Sequence, residues 1–405
     1  MVASMVKGDS NVATPFARAL SRATHIPRRL AYEIRGLPDR AKEAVAWCAA
    51  DRSELPRRDC GACIEGLAGL VSENRDLGYF LSAPVPVGKV GEFDYVGVQS
   101  VDGDRAVFVP NGANHFAIVG RDGSVERICF DKRGNEGPFR WTGGAVWHGS
   151  LVCFPRTSNE MLLLDLRSRE AHLIDLGQGY AREHHYGGVL VGDVVYQPPR
   201  GEDHILRTDL RSMASRRIPL APKRIGFKPR YCGSILHPNG LVYFLPERGR
   251  VIEFDPATDR FRFIGRPVNA MAFSAALAPD GCLYGFSGYS RGVLRIDPER
   301  GSVEMLRRDI GCPGAYGTRL GVNGKLYSVP GDGNAVLELD PETLEVRGLC
   351  ALGAPGGKAK CAGSATLRDG TLAFAPALGS DAYFLEPERP ADIPGEIYDL
   401  FNDCY

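Results

Sequence analysis

Between Asp94 and Pro387 the chain repeats one pattern of small, apolar and polar positions seven times. Each copy begins with a small residue or Gly and runs through a short apolar stretch to a turn. A second apolar stretch then ends in Pro, and after a polar loop a third ends in Asp. The loop-start Pro falls at Pro110, Pro155, Pro198, Pro246, Pro330 and Pro376, with Ser287 in its place in the fifth copy. The acid follows at Asp165, Asp209, Asp255, Asp297, Asp340 and Glu386, while the first copy has Gly120 there. A period of roughly 44 residues is the signature of propeller blades. The expected fold is therefore all-β, a seven-bladed β-propeller of four-stranded antiparallel blades.

The first stretch of each copy reads as the innermost strand, because seven such strands crowd one axis and leave no room for bulk. The small residues include Gly97, Gly143, Gly187, Gly233, Ser274, Gly317 and Gly363. Gly lets backbones approach closely. Asp102-Gly103, Asn239-Gly240, Asp280-Gly281, Asn323-Gly324 and Asp369-Gly370 are strong hairpin signals, since primed two-residue turns need positive φ. Asp-Pro at 255–256, 297–298 and 340–341 opens a further hairpin, so these acids are structural.

The seventh copy offers three strands and no convincing fourth after Glu386. The expectation is that Leu77–Val87 supplies the missing outer strand and so hides a sheet edge. The alternative is the tail through Ile397 and Phe401. Ahead of the ring, apolar periodicity predicts helices at Phe16–Leu20, Arg40–Ala50 and Ile64–Val71. The expected organisation is a helical extension over 1–75, a propeller over 76–390 and a tail over 391–405.

Composition narrows the class. Forty-nine basic residues balance 49 acidic ones, so no global field draws the chain to nucleic acid or an anionic membrane surface. No apolar run reaches the length of a membrane-spanning helix, and membrane insertion is not expected. Eleven cysteines, an odd number scattered through apparent strands, read as reduced thiols of an intracellular, cytoplasmic protein. Residues 1–32 are rich in Arg, Ser and Ala and nearly free of acids. That composition fits mitochondrial or plastid import as well as a basic docking helix.

The run Leu241-Val242-Tyr243 to Val251-Ile252-Glu253-Phe254-Asp255-Pro256 resembles the YVTN and quinoprotein-like seven-bladed propeller superfamily. The resemblance covers residues 94–388 and implies a fold shared by enzymes, binding modules and scaffolds. The repeats also look partly similar to those of virginiamycin B lyase-like propellers. The metal-dependent lactonase-type members place acidic ligands around the channel. No innermost strand here carries Asp or Glu, which argues against a carboxylate-bound cation there, and no cofactor is expected.

Strand polarity sends two sets of loops to one face. The starts of the inner strands bring Tyr95, Arg140, Trp141, His184, His185, Tyr186, Arg230, Tyr231, Tyr316, Lys358 and Lys360 there. The loops between second and third strands add Asn114, His115, Arg156, Asn159, Arg200, His204, Arg248, Arg291 and Asn334. Aromatics beside Arg and Lys suit a flat or anionic ligand; alternatively, each aromatic fills space between blades. His184, His185 and Tyr186 are the catalytic candidates, since an imidazole titrates near neutral pH. Adjacent histidines point to opposite faces of a strand and chelate poorly, so no metal site is expected from them. Cys60-Gly61-Ala62-Cys63 reads as a helix start.

No nucleophile elbow, phosphate loop or acid pair emerges. The leading expectation is a protein-binding or scaffold subunit using its loop face and N-terminal extension. The alternative is an enzyme (a lyase, isomerase or hydrolase) acting on a small anionic or aromatic molecule at the channel mouth.

Overall fold

The computed structural model describes residues 55–91, 93–131, 139–176, 185–220, 229–288, 292–306, 314–331, 333–353 and 361–402. The expected helices at Phe16–Leu20 and Arg40–Ala50 lie outside these residues.

Seven small antiparallel sheets form a seven-bladed propeller. The innermost strands are Tyr95–Val101, Trp141–Trp147, Val189–Val191, Arg230–Leu236, Ala276–Leu277, Ala315–Leu320 and Cys361–Thr366, one each for blades 1 to 7. Backbones crowd the axis between blades 7, 1 and 2 and again between blades 4 and 5, where a Cβ on Gly233 would sit 2.4 Å from Phe273 O. A Cβ on Gly363 would sit 2.6 Å from the Gly97 Cα, and one on Gly97 would sit 2.7 Å from the Gly143 Cα.

Two blades depart from four strands. In blade 4 the outer strand Arg260–Asn269 reaches back to pair with Arg248 and Gly249. This draws the intervening loop into one extended stretch, Val242–Asp255, so the sheet counts three members. Blade 7 has five because both Tyr79–Leu81 and Val85–Pro86 add to its last strand, Asp381–Pro387.

The N-terminal segment therefore closes the ring, with Tyr79 opposite Pro387 and Leu81 opposite Leu385. Tyr79 also anchors this closure: its buried hydroxyl accepts from Val322 N at 3.0 Å and donates to Gly370 O at 2.9 Å. The tail takes another role. Pro394 precedes a short helix, and Ile397 and Phe401, one turn apart, are buried in it. With helix α1 spanning Gly61–Asn74, this helix α2, Gly395–Asn402, packs on the face opposite the loop-start prolines. Arg319 of the blade 6 inner strand, 2% exposed, donates to Ser364 O at 2.8 Å and to Phe401 O of α2 at 3.3 Å.

The stretch leading into α1 is held by the same face. Arg58 N donates to Asn239 O at 2.8 Å, and Arg57 pairs with Glu253 at 3.0 Å. Glu253 belongs to a buried relay that occurs twice. Asn239 donates to Tyr243 at 3.1 Å and Tyr243 to Glu253 at 2.8 Å; Asn323, Tyr327 and Glu338 repeat this at 2.9 and 3.1 Å. Paired buried carboxylates of this kind satisfy charge that burial would otherwise penalise.

The described cysteines are all free, with Cys153, Cys232, Cys282 and Cys361 buried. Cys60 and Cys63 lie at the start of α1, where Asp59 accepts from Gly61 N at 3.0 Å. No helix among the described residues is long and apolar enough to cross a membrane.

Removing the Tyr79 hydroxyl leaves the Val322 N–H and the Gly370 carbonyl unsatisfied in the interior. Tyr79→Phe should therefore cost about 1–3 kcal/mol in urea unfolding, and an unchanged midpoint would refute its anchoring role.

Candidate functional site

The inner strands do not alternate evenly along their length. In blades 1, 2, 6 and 7 pairing skips two residues: Val96-Gly97, Thr142-Gly143, Tyr316-Gly317 and Ala362-Gly363. In blade 4 it skips Cys232. Such a bulge re-aims a side chain. Here it turns the first skipped residue toward the axis, while its predecessor points into the blade.

The aromatic residues singled out in the sequence therefore separate into two groups. Tyr95, Trp141 and Tyr231 precede the bulge and are packed between blades, 1%, 0% and 3% exposed. Their polar ends are occupied: Tyr95 Oη by His115 Nε2 at 2.7 Å, Trp141 Nε1 by Glu160 O at 2.8 Å and Tyr231 Oη by Arg250 O at 3.0 Å. His185 holds the same place in blade 3, buried, with Nδ1 3.1 Å from Pro198 O and its ring against His204. Tyr186 and Tyr316 come one residue later and reach the axis. They form one cluster with Cys232, Met271 and Phe273, which spans blades 3 to 6. His184, Lys358, Lys360 and Arg291 lie outside the described residues.

A second set of groups comes from the residue after the loop-start Pro. In blade 3 the pairing of His185 with Pro199 puts Pro199, rather than Pro198, in that position. The following residues are Asn111, Arg156, Arg200 and Glu247 in blades 1 to 4, and the small Gly288, Gly331 and Ala377 in blades 5 to 7. Backbone ties hold these loops to the inner strands, as in Arg156 N to Arg140 O at 2.7 Å and Gly331 N to Gly314 O at 2.8 Å. Among the described residues, polar groups thus gather on blades 1 to 4 and aromatic ones on blades 3 to 6.

The two sets meet around Tyr186. The Arg156 guanidinium lies 4.6 Å from the Phe139 ring centre and 4.6 Å from that of Tyr186. Arg200 lies 4.8 Å from the Tyr186 ring. Tyr186 continues to Phe273 at 5.3 Å and Phe273 to Tyr316 at 5.0 Å. Glu247 Oε2 accepts from Arg230 Nε at 2.9 Å and faces Arg200 at 3.5 Å. Arg140 stands apart, stacked 5.1 Å from Trp141, and burial pulls its guanidinium below the usual value.

The rim also holds strained backbone. Phe93, Phe139 and Met271 have φ of 53°, 73° and 44°, in the segments leading to the inner strands of blades 1, 2 and 5. Bulky residues rarely adopt this region, and such strain concentrates at ligand clamps. Phe93, Phe139, Phe273 and Glu247 were not singled out in the sequence. The signal for two of them was present: Phe273 precedes the small Ser274, and Glu247 follows Pro246.

One group of described residues places metal-ligating atoms within 4.8 Å of one another: Glu202, Asp203 and His204. Their geometry serves the imidazole, with Asp203 Oδ1 3.2 Å from His204 Nδ1.

No family model matches this chain, and no curated protein matches it. Similarity appears among solved structures. A streptogramin B lyase superposes with a TM-score of 0.63 at 14% identity, over 78% of this chain and 99% of the lyase. A catalytically inactive variant of virginiamycin B lyase from Staphylococcus aureus, crystallised with quinupristin, gives 0.61 at 12% identity, over 76% and 99%. A chain of the mitotic checkpoint complex gives 0.55 at 12% identity, over 83% and 97%. At these identities the similarity shows the seven-bladed fold.

Burial lowers the pKa of His204 from its ordinary value near 6.5, against the opposing pull of Asp203. The unfolded chain then binds more protons than the folded one below that pH, so acid should erode stability. Urea midpoints should fall between pH 7 and pH 5, and His204→Gln should flatten that slope. An equal slope in the variant would exclude His204 as a contributor.

Proposed function

We propose that this protein binds a small, flat, anionic organic molecule at the mouth of the propeller channel. The observation that carries the reading is the layered series Phe139, Arg156, Tyr186 and Arg200, continued by Phe273 and Tyr316. Guanidinium and aromatic faces alternate there, a surface that accepts a further planar group by stacking and a negative group by charge-assisted hydrogen bonds. Left-handed backbone at Phe139 and Met271 supports it, since strain of that kind persists where surroundings over-determine a residue's position. The lyase variant crystallised with quinupristin supports it by analogy of fold alone.

The alternative, a protein-binding or scaffold subunit, would use the loop face and the N-terminal extension. The described part of that extension, from Leu55 to Leu81, is engaged by its own propeller through Asn239, Glu253 and the blade 7 strand. The loop face is common to both readings, and the stacked rings and guanidiniums at its mouth favour a small molecule there.

The test is ligand-observed NMR on the full chain against a panel of flat aromatic acids and their amides. Saturation transfer to several members should appear and should weaken at least about tenfold in affinity in Tyr186→Ala, as expected when a stacking face is lost. A panel that shows no binding, or binding indifferent to Tyr186→Ala in a folded variant, would reject the mouth as the site.

A further inference from the structure

Arg200 is an incompletely satisfied cation at the mouth. Its side chain is 10% exposed, and Nε has no hydrogen-bond partner. One face of the guanidinium lies on Tyr186, and its contact with carboxylate is a single long one, Nη2 to Glu247 Oε2 at 3.5 Å. The same oxygen accepts from Arg230 at 2.9 Å, so Arg230 has the better share of it. A guanidinium presents a planar fork suited to two parallel bonds to one oxyanion. Buried polar groups are almost always paired, which makes this arrangement an exception that calls for an acceptor.

We propose that Arg200 reads the charged head of the ligand, and that this head is a carboxylate. In the free protein Glu247 is a partial counter-ion. On binding, the ligand carboxylate takes both sides of the Arg200 fork, while Glu247 stays with Arg230. The flat body of the ligand then lies along the aromatic arc of Tyr186, Phe273 and Tyr316. Glu247 also sets the charge that is accepted. It remains beside the incoming head, so a second negative charge meets like-charge repulsion, and a monoanion is favoured over a phosphate dianion. Among the described residues, blades 5 to 7 contribute the uncharged Gly288, Gly331 and Ala377 at the corresponding loop position. This inference rests on the small-molecule reading above and adds the residue and the chemical class that it selects.

The experiment compares two probes of one shape, naphthalene-2-carboxylate and naphthalene-2-carboxamide, by calorimetry on the full chain. The acid should bind about tenfold or more tightly than the amide, the gain expected of a charge-assisted pair. Arg200→Gln should erase that ratio and leave the amide within about threefold of its original affinity, while Arg200→Lys should restore part of it. Glu247→Gln should strengthen acid binding several-fold by removing the resident counter-ion. A melting curve for each variant establishes that it is folded; because the readout is a ratio of two ligands, a uniform loss of affinity does not mimic the result. If both probes bind equally and Arg200→Gln changes neither, the Arg200 assignment is overturned while the small-molecule reading survives. If neither probe binds the wild-type chain, the carboxylate assignment fails, and ligands of other charge in the aromatic panel decide the broader reading.

Discussion

The structure depends on how seven strands share one axis. Close approach of Gly363, Gly97 and Gly143 leaves no volume for side chains on that arc. Pairing in the inner strands then slips by a bulge, and the residue ahead of each glycine is turned inward. In blades 1, 2 and 7 that residue is Val96, Thr142 or Ala362. Tyr186, Phe273 and Tyr316, in contrast, line a wall. A repeat that looks uniform in outline thus becomes asymmetric through one side chain per blade.

The same asymmetry governs charge. Blades 2 to 4 raise Arg156, Arg200 and Glu247 from equivalent loop positions, and the aromatic wall stands between and beside them. Ring faces help to offset the cost of taking these guanidiniums out of water. The opposite end of the propeller solves its charge problem differently. There the Asn–Tyr–Glu relays end on Arg57, Arg262, Lys325 and Arg347, and every carboxylate is supplied with donors. The relay carboxylates are thus paired, whereas Arg200 Nε at the mouth is not.

Much of the architecture was legible in the sequence because it is periodic. The Asn-Gly and Asp-Gly turns, the Asp-Pro hairpins and the glycine-bearing strands each report a backbone requirement that few residues meet. Closure by Tyr79–Leu81 could be anticipated from the absent fourth strand of blade 7. The α2 helix was missed because Ile397 and Phe401 suggest an apolar strand as readily as one helical turn when only eight residues are involved. The site was harder to read for a specific reason. Tyr95, Trp141 and Tyr231 differ from Tyr186 and Tyr316 by one position relative to a bulge, and an unperturbed strand alternation cannot reveal where the slip occurs. His185 falls on the blade-facing side of that slip, and its buried ring against His204 is the outcome.

Ring closure has a consequence for how the protein is made. Tyr79 pairs with Pro387, about 300 residues further along the chain. A nascent polypeptide will have emitted its first strand, and the segment that clips to Asn239 and Asn323, long before the partner strand leaves the ribosome. Blades 1 to 6 can pair locally as they emerge, but the circle cannot lock until the blade 7 strand Asp381–Pro387 has emerged. Throughout that interval the last open edge is exposed, and Tyr79–Leu81 must be kept from pairing elsewhere. A propeller fastened by its first strand to its last is therefore assembled progressively and secured in a single late event.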